Sequence, residues 1–275
     1  MNGPANRVAV RLEAVSKLFS TPSGTLYTAL DEISLEVGEG RFVAVVGPSG
    51  CGKSTLLNLV AGLSPATRGR VEIFGAPLDG LNRRASYMFQ QDALLPWKTV
   101  LENVALGLLF RGTPRVEALE HGRTWVRRVG LDGFAGHFPY QLSGGMRKRV
   151  AMAQNWIVDP DIFLLDEPFS ALDIHTRHRM EGELLELWSS SPKSVIFVTH
   201  DLEEAIALAD EVVVLSAGPA GRVVGRYTVD LARPRALVDI RTDPRFVELY
   251  RSVWSALREE VLKSYERGEG SAPVH

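Results

Sequence analysis

A glycine-rich run at residues 47–55 has the composition and spacing of a phosphate-binding loop. It fits the pattern G-x-x-x-x-G-K-[ST] and directly follows the apolar, strand-like residues 42–46. Glycines in such a loop let backbone N–H groups converge on one point, Lys53 adds positive charge, and the Ser54 hydroxyl can reach a phosphate-bound Mg²⁺. A structural glycine turn is the alternative. The residues expected to bind nucleotide phosphates are Gly47, Pro48, Ser49, Gly50, Cys51, Gly52, Lys53, Ser54 and Thr55.

Two adjacent carboxylates end a second apolar run. Residues 162–165 are all apolar and lead directly into Asp166 and Glu167. Parallel strands deliver their carboxyl ends to the same edge of a sheet, so these acids would meet a nucleotide bound there. Asp166 could hold Mg²⁺ and Glu167 could polarise a water for phosphoryl transfer, which depends on positioning and charge stabilisation. A solvated strand end or a helix cap is the alternative for these two residues alone.

A third motif, Leu-Ser-Gly-Gly-Met at residues 142–146, opens a helix-like run that reaches residue 158. With this motif the chain resembles the ATPase subunits of ABC transporters, whose signature is usually Leu-Ser-Gly-Gly-Gln. The resemblance extends over about residues 8–224. It implies that Ser143, Gly144 and Gly145 form a second anion site at a helix start, which faces the ATP held by a second copy of the chain. A loop entering a helix is the alternative.

The resemblance also implies roles for isolated residues. Gln90 would sense Mg²⁺ and the attacking water, although Gln91 beside it leaves the register open. His200, after the apolar residues 195–198, would reach the γ-phosphate, and Phe19 would stack on adenine. The alternatives are a polar residue leaving a strand, a surface histidine and a packed core ring. The resemblance therefore implies ATP and Mg²⁺ as ligands, with Glu167, His200 and Gln90 as catalytic residues and Ser54, Gln90 and Asp166 as metal ligands.

The family resemblance also bears on four residues at the start of, or within, the helices that follow the motifs. Asp173 would lie near the dimer seam, and it is also a suitable N-cap for the following helix. Met146 departs from the usual glutamine while the serine and glycines are retained, so we expect little loss of activity. Lys148 occupies a place where glutamine is common, and Gln154 one where arginine is common. The sequence gives no account of what this shift of charge does.

Hydrophobic periodicity indicates an α/β fold that would position these motifs. Residues 8–15 and 33–37 alternate apolar and polar side chains, as antiparallel strands do. Between Asp92 and Ile157 only helical patterns occur. We therefore predict a P-loop NTPase core with an antiparallel β subdomain and an inserted helical subdomain. Continuous apolar runs suited to a buried parallel sheet are residues 42–46, 162–165, 195–198 and 212–215.

The predicted domain organisation follows from these patterns. Residues 8–225 would form the ATPase domain, with the helical subdomain at about residues 92–157. Residues 226–275 would form a C-terminal extension with an amphipathic helix at about residues 243–265, which begins with an Asp-Pro pair. The polar face of that helix mixes acids and bases, which favours packing on the core over binding to a membrane surface.

Composition excludes several classes of protein. The chain has 275 residues, 45% of them hydrophobic, and a formal net charge of -2, so bulk electrostatics give no indication of a nucleic-acid partner. No stretch reaches the roughly 18 apolar residues that a membrane span needs, and no secretory signal precedes the first strand, so we expect a cytoplasmic location.

Cys51 is the one cysteine, which excludes an intrachain disulfide. His175 and His178 lack a third ligand, which favours a solvated helix face over a metal site.

Two further segments resemble the ATPases of importers for nitrate, taurine and alkanesulfonates: residues 93–104 and the tail that contains Arg-Pro-Arg and Asp-Pro-Arg-Phe. The resemblance implies a homodimer at the cytoplasmic face of the inner membrane, beneath permease subunits and supplied by a solute-binding protein. Leu94, Leu95 and Trp97 would form an exposed apolar cluster that contacts the permease, or would instead pack inside the helical lobe. An exporter or lipid-transport ATPase and a soluble, non-transport ABC ATPase are the alternatives.

Overall fold

Two β-sheets form the framework of the chain in the computed structural model, which describes residues 7–20, 24–237 and 239–269. The smaller sheet is antiparallel, in the order β2-β1-β4-β5, and the larger has the order β10-β9-β3-β8-β7-β6. The smaller sheet consists of β1 (Val8–Ser20), β2 (Leu26–Gly38), β4 (Arg68–Ile73) and β5 (Ala76–Pro77). The larger consists of β3 (Phe42–Val46), β6 (Ala85–Met88), β7 (Ile162–Asp166), β8 (Ser194–Val198), β9 (Glu211–Leu215) and β10 (Val223–Thr228).

Five strands of the larger sheet are parallel, and β10 is antiparallel to β9. Every residue of β3, β7 and β8 is buried, as expected for parallel strands covered on both faces. These three strands are neighbours in the sheet. Their carboxyl ends therefore bring the phosphate loop, the acidic pair and the loop that carries His200 to one edge.

Seven helices surround the sheets in the described part of the chain. Three of them, with two short 3₁₀ turns, occupy the segment between β6 and β7, where the sequence predicts a helical subdomain. The last helix belongs to the C-terminal segment. The helices are α1 (Lys53–Val60), α2 (Val100–Phe110), α3 (Arg115–Arg128), α4 (Gly144–Trp156), α5 (Ile174–Ser190), α6 (Leu202–Leu208) and α7 (Pro244–Glu269).

The larger sheet separates two hydrophobic cores. Alternate residues of β3 point to opposite faces, so Phe42 and Ala44 join one core and Val43 and Val45 the other. The first core is completed by side chains of α2 to α7, and the second by α1 and the antiparallel sheet. The edge of the six-stranded sheet that carries the phosphate loop, the acidic pair and His200 therefore lies between two packed layers.

The predicted α/β fold, with its antiparallel sheet and helical insertion, is confirmed. Two strands, β4 and β10, carry no clear pattern in the sequence. Helix α4 begins at Gly144 because Ser143 accepts a hydrogen bond from the Met146 N–H as its N-cap. Residues 270–275 of the predicted extension lie outside the described residues. Within the described ranges, no helix combines the length and apolar character of a membrane span.

Candidate functional site

The phosphate loop connects β3 to the start of α1 and is folded as a cradle. The Nζ of Lys53 donates to the carbonyls of Gly47 at 2.8 Å and Pro48 at 3.1 Å, which folds the side chain back over the loop. Gly52 has φ of 100°, and a Cβ there would stand 2.5 Å from Leu30 Cδ2. Only glycine satisfies both constraints. Among the described residues no side chain forms an N-cap hydrogen bond to α1, so its first N–H groups are available to an anion.

The opposite side of the loop packs into the protein. Cys51 is fully buried, and this burial raises the pKa of its thiol. A Cβ on Gly47 would lie 2.7 Å from Cys51 Sγ and 3.1 Å from the Leu215 carbonyl oxygen. The side chain of Cys51 therefore faces the interior. Any contact of this residue with a nucleotide would be through its backbone.

A cleft of about 420 Å³ lies over the cradle. Six loop residues line it together with Gln90, Glu167 and Phe19, whose ring is 42% exposed. Tyr27, which sequence reasoning missed, lies opposite Phe19 in the β1–β2 ladder and lines the same cleft. Directly opposed residues share a face of the sheet, so the two half-exposed rings flank the entrance. Aromatic faces of this kind suit a purine base.

Asp166 ends β7 beside the start of α1 and is almost fully buried. Burial raises the pKa of its carboxyl, and hydrogen bonds from the hydroxyls of Ser54 and Tyr87 oppose that change. The Tyr87 Oη lies 3.1 Å from Asp166 Oδ2. A serine hydroxyl beside a carboxylate is the oxygen donor set that Mg²⁺ prefers, so Ser54 and Asp166 fit this ion.

The three residues predicted to act in catalysis meet at one atom. Glu167 Oε2 lies 3.1 Å from His200 Nδ1 and 3.3 Å from Gln90 Nε2. Glu167 has φ of 43°, which is rare for a residue with a side chain, and its N–H donates to the Val198 carbonyl at 2.9 Å. Neighbouring strands therefore hold this strained backbone in place. Gln91 lines a different groove, which favours Gln90 for the predicted role.

The signature motif lies apart from this cleft. Ser143, Gly144 and Gly145 are not among the described residues that line the cleft. The motif instead packs toward the start of α5, where a Cβ on Gly145 would lie 2.8 Å from Thr176 Cγ2. Asp173 accepts a hydrogen bond from the Thr176 N–H at 3.0 Å and is the N-cap of α5. One chain therefore presents two separate candidate anion sites.

A buried lysine, which sequence reasoning noted without a role, connects the signature helix to the loop that carries Gln90. Lys148 is 3% exposed, and its Nζ donates to the Gln90 carbonyl at 2.8 Å. The same Nζ lies 3.0 Å from Asp92 Oδ1, and Arg147 Nε donates to Asp92 Oδ2 at 3.2 Å. A lysine at this position departs from the glutamine that is common in the family, and this departure was the one indication in the sequence that Lys148 has a special role. No pattern in the sequence indicated that Lys148 pairs with Gln90 and Asp92.

Comparison with known proteins agrees with this geometry. The family described as "ABC transporter" matches residues 30–170. The chain is 45% identical over 258 residues to an uncharacterized ABC transporter ATP-binding protein of Methanocaldococcus jannaschii, covering 94% of each chain. It is 43% identical over 260 residues to the taurine import ATP-binding protein TauB of Rhizobium johnstonii, covering 93% of this chain and 99% of the relative.

A solved structure gives the same result at the level of the fold. A dimeric ATP-binding cassette in a post-hydrolysis state, bound to ADP and Pi, aligns with a TM-score of 0.71 at 33% identity. The alignment covers 81% of this chain and 100% of the cassette. The resemblance to the ATPase subunits of ABC transporters, which the sequence motifs indicate, is confirmed. The chain belongs to the ABC transporter family, as an ATP-binding, ATP-hydrolysing subunit.

Proposed function

We propose that this subunit energises the import of a small sulfonate or related solute, as a homodimer at the cytoplasmic face of the membrane beneath two permease subunits. The observation that carries the catalytic part is the convergence of Gln90 and His200 on Glu167 beside the phosphate loop. The importer assignment draws support from the relative at 43% identity that is named for taurine import.

In the proposed mechanism Lys53 and the loop N–H groups bind the β- and γ-phosphates and neutralise their charge. Glu167 accepts a proton from the attacking water, and His200 and Gln90 hold the Glu167 carboxylate and that water in line with the γ-phosphate. Mg²⁺, held by Ser54, Asp166 and Gln90, would supply further positive charge to the phosphate oxygens. Phe19 and Tyr27 would contact the base.

The second anion site supports a dimeric mechanism. Ser143 and the N–H groups of Gly144 and Gly145 do not reach their own cleft, so they are available to the nucleotide of a second copy. Two chains arranged head to tail would then enclose two nucleotides. ATP binding would close the dimer, and hydrolysis with product release would open it. The solved relative bound to ADP and Pi is dimeric, which supports a mechanism that uses two copies of the chain.

A groove between β6 and the helical segment is the proposed permease contact. It has a volume of about 310 Å³ and is lined in part by Phe89 and Phe110, which are 43% and 81% exposed. Exposed aromatic residues of this kind anchor protein interfaces. We infer that a cytoplasmic segment of the permease occupies the groove.

The loop before α2 carries a further exposed aromatic residue, which is a second candidate contact with the permease. Trp97 is 70% exposed, whereas Leu94 is buried in the core, so the prediction of an exposed cluster is wrong for Leu94. Asn103 holds the loop: its Oδ1 accepts from the Leu95 N–H at 2.8 Å, and its Nδ2 donates to three carbonyls of residues 95–99 at 3.0–3.1 Å. Trp97 is therefore presented on a fixed backbone.

The test uses the complex copurified with its permease and reconstituted in vesicles. Trp97→Ala should leave basal ATPase activity of the isolated subunit near normal, while permease association and ATPase stimulation by the solute-loaded binding protein fall. Tyr265→Ala, an exposed aromatic residue on α7, is the matched control and should change neither. Loss of basal activity with normal permease binding would contradict the contact. Copurification with a permease that needs no binding protein would favour an exporter or lipid-transport ATPase.

A further inference from the structure

The segment after β10 packs on the helix that follows His200. Phe246, Leu249 and Val253 of α7 lie in the same hydrophobic core as Ala205 and Ile206 of α6. Helix α6 has only seven residues, and Asp201 forms its N-cap directly after His200. So short a helix has little stability of its own, and its position depends on what surrounds it. Whatever holds α6 therefore also holds the backbone at His200.

Two arginines of this segment bind the carboxyl end of α6. Arg235 is 6% exposed, and its Nη1 donates to the carbonyls of Ile206, Ala207 and Ala209 at 3.2, 3.0 and 2.7 Å. Arg233 Nη2 donates to the carbonyl of Leu208 at 2.7 Å. The last carbonyls of a helix have no partner within the helix, and a cation there is favourable for its dipole. Burial lowers the pKa of Arg235 to about 10, so its charge is retained at neutral pH.

A third arginine joins the amino end of α6 to α5. Arg241 Nε donates to Glu203 Oε2 of α6 at 2.9 Å, and its Nη2 donates to Glu181 Oε2 of α5 at 2.9 Å. Glu181 is fully buried, and this burial raises the pKa of its carboxyl while Arg241 opposes that change. The planar guanidinium can hold two carboxylates at once, which a lysine cannot do with the same geometry.

Asp173 is the N-cap of α5, so the bridge connects two segments of the nucleotide machinery. Arg177, one turn before Glu181 on α5, donates to the Leu172 carbonyl at 3.2 Å and to Asp201 Oδ2 at 3.3 Å. The Asp173 loop and the His200 loop are therefore already connected at one end. Arg241 connects the same two helices through the segment after β10, and none of the described residues of that segment lines the cleft over the cradle.

We propose that Arg241 is a positioning residue, which fixes α6 against α5 and thereby sets the place of His200 relative to Glu167. The inference rests on the proposed role of His200. The C-terminal segment would then control the rate of hydrolysis without touching the nucleotide. Disruption of the bridge should lower kcat while the KM for ATP stays unchanged, because the cradle is intact.

The experiment compares variants that break the bridge and still leave Glu181 with a cationic partner. Arg241→Lys and Glu203→Ala do so, and each should reduce kcat about tenfold, the scale of a small misplacement of a catalytic group, with KM within about twofold. The double variant should lose no more than Arg241→Lys alone, because both changes remove the pairing of Arg241 with Glu203. Arg241→Lys also removes the hydrogen bond from Arg241 Nη1 to the Leu237 carbonyl at 2.7 Å. Arg245→Lys is the matched control: Arg245 also pairs with two carboxylates, Asp230 and Glu248, and neither belongs to α6.

The outcomes separate this inference from the function on which it rests. His200→Ala should be nearly inactive, and an active His200→Ala would overturn the role of His200 and the inference together. If His200→Ala is inactive while Arg241→Lys and Glu203→Ala keep the wild-type kcat, the inference alone fails. A lower melting temperature with unchanged kcat, or an equal loss in Arg245→Lys, would also overturn it, since either indicates a purely structural role.

Discussion

Replacement of Lys148 should disturb both stability and catalysis, because this side chain connects the signature helix to the backbone of Gln90. Lys148→Met keeps most of the volume of the buried stem and removes the ammonium group. The hydrogen bond to the Gln90 carbonyl at 2.8 Å and the ion pair with Asp92 at 3.0 Å are lost together. Arg147 still pairs with Asp92, so that carboxylate keeps one cation.

The magnitude follows from these contacts. A hydrogen bond that involves a charged group contributes about 1.5–3 kcal/mol, so the free energy of unfolding should fall by that amount in Lys148→Met. Lys148→Gln retains a neutral donor for the Gln90 carbonyl and should lose only about 1 kcal/mol. If release of the Gln90 loop removes about 1.4 kcal/mol of transition-state stabilisation, kcat in Lys148→Met falls about tenfold.

Urea unfolding by linear extrapolation measures the first effect, and steady-state ATPase assays measure the second. Lys193→Met is the control, since Lys193 pairs at 2.9 Å with Asp159, whose side chain is 82% exposed, and such a surface pair contributes at most about 1 kcal/mol. Wild-type stability and kcat in Lys148→Met would refute the reasoning. So would equal losses in the glutamine and methionine variants, because the retained donor would then have no effect.

Glu167→Gln should bind ATP, slow hydrolysis about 10²–10⁴-fold and accumulate as an ATP-bound dimer on size exclusion; a monomer with normal phosphate release would contradict the role of Glu167. Burial raises the pKa of the Glu204 carboxyl from 4.5 to about 7. The wild-type protein should therefore lose up to about 3 kcal/mol of stability relative to Glu204→Gln as the pH rises from 4.5 through 7. Urea midpoints of the two proteins that do not diverge over this pH range would contradict the prediction. Asn103→Ala should lower the free energy of unfolding by about 3 kcal/mol and weaken permease association, and an unchanged midpoint would contradict the role of Asn103 in holding the loop.

Local patterns in the sequence were sufficient to locate the cradle and the acidic pair. A strand, a glycine loop and a helix are consecutive in the chain, so the arrangement around Lys53 needs no knowledge of distant contacts. The apolar run before Glu167 predicted its place at the edge of the sheet for the same reason. Glu167 and His200 meet because β7 and β8 are neighbours, which the resemblance to the family implied and periodicity alone did not.

Other features depend on contacts between distant residues. The β4 strand is largely exposed at its start and β10 alternates weakly, so neither shows a clear apolar run. Lys148 and Gln90 are 58 positions apart, and no local pattern pairs them. Leu94 and Trp97 lie three residues apart with opposite exposure, because the hydrogen bonds of Asn103 fix a turn that the sequence does not reveal.

The head-to-tail dimer that shares two nucleotide sites can be tested by mixing two inactive variants. Lys53→Ala damages the phosphate cradle, and Ser143→Arg damages the signature that the partner uses. A mixed dimer has one site with both lesions and one site with neither. Random pairing puts half the chains in such dimers, so the mixture should recover up to about a quarter of wild-type ATPase activity. A mixture no more active than its separate components would contradict the shared site.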